Sequence, residues 1–166
     1  IRAAVLWQRL GDTDQVKATL TSVGTGNSPV HLAAKAILGQ PIDPKSALGT
    51  KRDEEACVMR EVVHTLASLE RHEEAMAWGA TIFEQAKSCP EAWEMMIHRH
   101  LQAGDQAAAL ALADQAQKRF APKDASDGLL AIVGSVYLGA GRHTDAAAML
   151  EIVATRRPGD EGSVRM

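Results

Sequence analysis

Two pairs of glutamate and histidine are the residues of this sequence whose types and spacing come nearest to a chemical site. Glu61 lies three residues before His64, and Glu94 lies four residues before His98. Residues three or four apart share one face of an α-helix, so each pair can present a carboxylate and an imidazole together. Two such pairs on adjacent helices could bind a metal ion such as zinc. Nothing in the sequence demands that such a site close, so we predict neither a metal nor another cofactor.

A second candidate for chemistry is Cys57, which lies three residues from Arg60 and on the same expected helix face. A catalytic thiolate also needs an oriented base and oxyanion donors, and the sequence has no motif for either. Cys89, directly before Pro90, is typical of a buried or capping residue. With two cysteines, a disulfide is possible but not required. They do not show whether the protein is in the bacterial cytoplasm or in the periplasm. The sequence therefore predicts a protein that is not an enzyme.

The composition fits a folded domain and excludes several classes of function. The 166 residues are 46% hydrophobic and only 4% aromatic, so aliphatic side chains must form most of the core. A formal net charge of −3 argues against a nucleic-acid partner. No run approaches the ~20 apolar residues of a membrane span, so no membrane insertion is expected. The chain starts at Ile1 inside an apolar pattern, which indicates a piece of a longer protein.

Helical periodicity and turn signals divide the chain into helices, without a sustained strand pattern. Short turns such as Gly11–Asp12 and Gly104–Asp105 predict that neighbouring helices lie antiparallel. The segment 39–51 contains two prolines and predicts a break in this rhythm, with at most one helical turn ending at Leu48. The predicted helices are 1–10, 13–23, 29–39, 51–70, 73–88, 91–103, 106–119, 127–140 and 144–157.

The helical hairpins recur with a spacing near 34 residues. Gly104 and Gly141 occupy corresponding turns 37 residues apart, and Ala75 and Ala109 occupy corresponding helices 34 residues apart. This spacing resembles the tetratricopeptide repeat (TPR), whose unit reads W-x2-L-G-x2-Y, then A-x3-F, then P. The last copy matches this motif best, at Leu130, Val133, Gly134, Tyr137, Ala146, Leu150 and Pro158.

The resemblance implies an all-α, right-handed solenoid of stacked antiparallel helix hairpins. It predicts a single TPR-like repeat domain over residues 1–158 and a flexible tail over 159–166. Small residues such as Gly134 and Ala146 are expected where the two helices of one hairpin approach closely. A lone hairpin cannot bury its apolar faces, whereas stacked hairpins can. The predicted units are 1–28 (partial), 29–50 (degenerate), 56–89, 90–126 and 127–158.

TPR proteins commonly bind peptides on the concave face formed by the first helix of each unit. The resemblance therefore implies a non-catalytic interaction scaffold. The alanine-rich composition and Gly-Asp turns favour a bacterial source, and we expect the chain to be a fragment of a larger protein of secretion or of envelope or complex assembly. A regulatory domain attached to an enzyme, or a module that self-associates through its ends, stays open. Among the tryptophans, Trp7 and Trp93 are expected to pack and Trp78 to be exposed. The expected partner-binding residues are Arg60, Glu61, His64, Glu91, Glu94, Met95, His98, Gln102 and Ser135.

Overall fold

The computed structural model describes residues 1–23, 26, 28–49 and 53–156. This part of the chain is α-helical without strands, which confirms the all-α prediction. The predicted tail, 159–166, lies outside the described residues. Short 3-10 helices span Thr21–Val23 and Pro122–Asp124. The α-helices are α1 Arg2–Arg9, α2 Thr13–Leu20, α3 Pro29–Ile37, α4 Pro44–Leu48, α5 Asp53–Cys57, α6 Arg60–Ser68, α7 His72–Gln85, α8 Pro90–Gln102, α9 Gln106–Arg119, α10 Asp127–Gly139 and α11 His143–Arg156.

Five helix ends share one turn geometry. In each turn one residue takes a left-handed conformation, with φ between 62° and 76°. The next N–H donates to the carbonyl five residues back at 2.8–3.0 Å, as in a Schellman motif. The left-handed residues are Gly11, Gly39, Glu70, Gly104 and Gly141. The same backbone turn therefore recurs along the chain, and Glu70 takes the position that is glycine in the other four turns.

The helices form two compact units, Ile1–Lys87 and Ser88–Met166. In the first unit α1 packs on α2, α6 packs on α7, and α3 packs against both α1 and α6. The single-domain organisation and its unit boundaries stay predictions. Side chains from three helices form one small core under α1, with Trp7 packed against it as expected: Ala4, Val16, Leu20, Ala34 and Ile37.

The segment after α3 covers one side of α7. The single helical turn predicted to end at Leu48 is α4, which packs against α7. The Trp78 indole N–H donates to the carbonyl of Ile42 at 3.4 Å, and the Gln85 amide donates to the carbonyl of Gly49 at 3.2 Å. Only 1% of Trp78 is exposed. The expectation of an exposed Trp78 is therefore wrong, because the break in the repeat folds over this residue.

The predicted helix 51–70 is two helices. α5 ends at Cys57 and α6 begins at Arg60. Between them the Met59 N–H donates to the carbonyl of Ala56, three residues back, at 3.0 Å. This hydrogen bond spans three residues instead of the four of an α-helix, so the chain forms a tight turn and the α-helical hydrogen bonding is interrupted between α5 and α6.

In the second unit α8 pairs with α9, α10 pairs with α11, and α10 packs against α8 and α9. A Cβ placed on Gly134 would lie 2.9 Å from Leu150 Cγ and 3.5 Å from the carbonyl oxygen of Ala146. α10 and α11 therefore approach closely where the sequence predicted, at Gly134 and Ala146. Trp93 is buried and packs edge-on against Phe120, with ring centroids 6.1 Å apart, as its predicted packing role requires.

A polar network joins α9, α10 and the turn before α11. The buried Tyr137 hydroxyl lies 3.0 Å from Asp114 Oδ1 and 2.8 Å from Gln117 Oε1. Arg142 stacks 4.0 Å from the Tyr137 ring centroid and donates to Asp114 and to Asp145. Burial, then the hydrogen bond with Asp114, raises the pKa of Tyr137 to about 12. The hydrogen bond from Arg142 lowers the pKa of Asp114.

Candidate partner-binding groove

A groove of about 550 Å³ lies between α1 and α6 in the unit Ile1–Lys87. The lining residues come from α1 and α6, which form the two walls of the groove, and α3 packs against both helices. Each wall contributes residues at helical spacing, and the side chains that line the groove are Ile1, Arg2, Val5, Leu6, Arg9, Glu61, His64, Thr65 and Ser68.

The α1 wall is an apolar pair with an arginine on either side. Arg2, Val5, Leu6 and Arg9 follow the spacing i, i+3, i+4, i+7 and therefore share one face. The opposite face buries Ala4 in the core. Leu6 keeps 56% of its surface exposed. This wall thus offers apolar surface in its centre and positive charge at its ends.

The α6 wall is polar. Glu61, His64, Thr65 and Ser68 follow the same spacing as the residues of the α1 wall. Glu61 and His64 are exposed, and the Ser68 hydroxyl donates to the His64 carbonyl at 2.8 Å. Two predicted partner-binding residues, Glu61 and His64, therefore lie in the groove. Arg60 lies outside its lining, half-buried, with Nη1 3.8 Å from Cys57 Sγ.

The other predicted residues lie in the second unit, on α8 and α10. The His98 ring lies 3.2 Å from the Gln102 amide nitrogen, and burial, then the charge of Arg99, lowers the pKa of His98. The Ser135 hydroxyl is exposed and donates to the carbonyl of Ala131 at 3.0 Å. These three polar residues are therefore placed by contacts within their own helices.

Two glutamates and a methionine of α8 complete the predicted set. Glu91 is half-buried, and the carboxylate of Glu94 fills the space beside Gly128 in the first turn of α10. Met95 keeps only 2% of its surface exposed, so it packs in the interior and offers no surface to a partner. The helical spacing placed Met95 beside exposed positions, but its burial shows that this part of α8 faces the core.

A smaller cavity of about 300 Å³ lies at the turn ends of the second unit. Ser135 is the predicted residue that reaches it. The walls come from the end of α8, the start of α9 and the end of α10: Leu101, Gln106, Ala107, Leu110, Ser135, Val136, Gly139 and Ala140. Its lining carries no formal charge, in contrast with the groove between α1 and α6.

Two observations concern the cysteines and the metal-ligating residue types within each unit. Neither cysteine is a free thiol, so Cys57 has no thiolate to act as a nucleophile. Within each unit, the described residues contain no group of three or more His, Cys, Asp or Glu whose ligand atoms could reach one metal ion. The groove between α1 and α6 is the candidate site in the first unit, and neither cysteine is part of its lining.

The sequence missed the α1 wall of the groove. Arg2, Val5, Leu6 and Arg9 were read only as part of a partial first unit. The signal was present, because two arginines seven residues apart with two aliphatic residues between them form one helical stripe. The TPR motif gives no weight to these positions, so a search for the motif passes over them.

Comparison with known proteins identifies the fold. No protein-family model and no curated protein sequence matches the chain. Among solved structures, it is similar to the crystal structure of a thermophilic TPR protein of Thermus thermophilus, with a TM-score of 0.53 and 16% sequence identity. The likeness covers 98% of this chain and 92% of that chain. The TPR-like helical repeat predicted from the motif is therefore confirmed at the level of the fold.

This likeness, at 16% sequence identity, establishes a TPR-like repeat fold. Such folds carry apolar and polar side chains on faces that a second polypeptide can contact. No helix in the described part of the chain combines the length and the apolar character that a membrane span needs.

Proposed function

We propose that this protein is a non-catalytic scaffold that binds a segment of a partner polypeptide in the groove between α1 and α6. The observation that carries the proposal is the exposed Leu6, with 56% of its surface accessible at the centre of a 550 Å³ groove. Protein interfaces commonly have an apolar centre inside a polar rim. Here Val5 and Leu6 supply the centre, and charged side chains on both walls supply the rim.

Glu61 and His64 are the predicted partner-binding residues that fit this role directly, because both are exposed in the groove. We extend the proposal to the polar residues expected on the same helix faces elsewhere in the chain. They are Arg60, Glu91, Glu94, His98, Gln102 and Ser135, which we propose as further partner-binding residues, each within its own unit. A place in secretion or in envelope or complex assembly stays a prediction, as does attachment to a catalytic domain.

Site-specific photocross-linking tests the proposal. A benzophenone amino acid replaces Leu6 in one variant and Leu38 in a matched control, since Leu38 is 45% exposed but lies outside the groove lining. After irradiation in native extract, we expect one polypeptide to be linked at position 6 and not at position 38. Linking at both positions, or at neither, would contradict a groove-bound partner. A product with twice the mass of the chain would instead identify self-association through this groove.

A further inference from the structure

We propose that the partner segment bound between α1 and α6 is acidic, with two carboxylates placed about 10 Å apart on either side of apolar residues. This partner chemistry rests on the proposed function, because it describes the occupant of the same groove. The α1 wall carries it, through the stripe formed by Arg2, Val5, Leu6 and Arg9.

Among the residues that the structure describes, the two arginines of the groove have no partner. Among the described residues, neither Arg2 nor Arg9 forms an ion pair or a side-chain hydrogen bond. The one acidic residue of the lining, Glu61, lies on the opposite wall. A guanidinium presents a planar fork of N–H donors that matches a carboxylate, and it is costly to desolvate without one. A bound segment that covers this wall must therefore bring negative charge to it.

The spacing on α1 defines where those charges lie. Arg2 and Arg9 are seven residues apart, which corresponds to about 10 Å along a helix axis. Val5 and Leu6 lie between them on the same face. A helical partner meets this stripe with the pattern acid-x-x-apolar-apolar-x-x-acid, because these positions also share one face of its own helix.

The charge on the α6 wall determines which way the acidic edge of the bound segment faces. Glu61 repels a carboxylate on the α6 side, whereas the arginines attract one on the α1 side. The acidic edge of the segment is therefore turned towards α1. A net charge of −3 for the whole chain does not oppose this, because interactions between exposed charges are screened beyond about 8–10 Å in physiological salt.

A pair of designed peptides tests the inference. The first is a fluorescein-labelled helix containing Glu-Ala-Gln-Leu-Leu-Ala-Gln-Glu, and its twin has lysine at both glutamates. Fluorescence anisotropy in low salt gives the Kd of each for the purified protein. We expect the acidic peptide to bind about tenfold or more tightly than its twin. The double variant Arg2→Glu/Arg9→Glu should reverse this preference, because it exchanges the sign of the α1 wall.

The matched control is Lys17→Glu/Lys45→Glu, which changes the net charge equally at exposed positions outside the groove lining. It should keep the preference for the acidic peptide. A preference that survives the arginine exchange, or that follows the lysine exchange, overturns the inference, as does a failure of both peptides to bind. Circular dichroism checks that each variant is folded. If Arg2→Glu/Arg9→Glu does not fold, Arg2→Gln/Arg9→Gln takes its place and should abolish the preference for the acidic peptide.

Two results separate this inference from the proposed function. If both peptides bind equally and Leu6→Asp abolishes binding of both, the groove holds polypeptide without reading charge, and only the acidic partner is refuted. If neither peptide binds but a natural partner still cross-links at position 6, the same conclusion follows. If cross-linking at position 6 also fails, the groove is not the binding site and the proposed function is refuted as well.

Discussion

Glu70 occupies a backbone position that the other four turns give to glycine. Its φ is 62°, in the left-handed region that L side chains rarely adopt. The side chain is exposed and, among the described residues, forms no hydrogen bond or ion pair. Its neighbour Arg71 holds the turn, donating from Nη1 to the Ala36 carbonyl at 2.6 Å and from Nε to Glu74 at 2.6 Å. Glu70→Gly should therefore relieve backbone strain without loss of a contact.

The expected gain follows from two opposing terms. A left-handed conformation costs an L residue roughly 1–2 kcal/mol. Glycine avoids this cost but loses more conformational freedom on folding, which offsets roughly 0.5–1 kcal/mol. Glu70→Gly should therefore raise the free energy of unfolding by about 0.5–1 kcal/mol. For a chain of 166 residues this corresponds to an increase in Tm of about 1–4 °C.

Gly104→Ala is the reciprocal control. Gly104 has φ of 76°, and a Cβ added there would have no heavy atom within 4 Å, so the change tests the backbone alone. It should lower stability by about 1 kcal/mol. Thermal melts followed by circular dichroism, with urea titrations, measure both variants. An unchanged or lower Tm for Glu70→Gly, together with an unchanged Tm for Gly104→Ala, would refute a shared left-handed turn.

Three further predictions concern the second unit. Gly134→Val should overpack the contact between α10 and α11 and cost about 1–3 kcal/mol in urea titrations, whereas Gly139→Ala, with open space around it, should not destabilise. Tyr137 is the single tyrosine of the chain, and its tyrosinate absorbance should appear near pH 12 in the folded protein and near pH 10 in urea. Its contribution to stability is then complete below pH 10 and is lost as the pH rises towards 12. A pKa near 10 for Tyr137 in the folded protein would contradict its burial. Because the pKa of Asp114 is lowered, its contribution to stability is present above the ordinary pKa of 3.8 and is lost as the pH falls below it. The difference in urea midpoint between wild type and Asp114→Asn should therefore become smaller in acid. A difference that does not change with pH would exclude the ion pair between Asp114 and Arg142.

Local features carried most of the fold prediction. Glycine-containing turns and helical periodicity located the hairpins, since the left-handed turn and the apolar stripe are properties of a few neighbouring residues. Glu70 escaped notice because its left-handed φ is imposed by its surroundings and has no signature in its residue type. Trp78 was misplaced for a related reason, since its burial depends on the fold of a proline-containing segment about 36 residues earlier in the chain.

The groove was predicted on one side only. Glu61 and His64 follow from the TPR motif, which identifies α6 as the first helix of a unit. The α1 wall depends on how α1, α3 and α6 pack, and no local pattern states which helices flank one another. Met95 was misplaced for the same reason. Its helical spacing predicted an exposed position, but the packing of α8 buries it.

The affinity of Leu6→Asp for the cross-linked partner is the most direct test of the central claim, that the groove between α1 and α6 binds a polypeptide. Burial of a leucine side chain stabilises by about 1.5–3 kcal/mol, so isothermal titration should show a Kd weakened by at least about tenfold. Leu38→Asp, at an exposed leucine outside the groove lining, should bind the partner as wild type does. Equal affinities for wild type and Leu6→Asp would contradict the account.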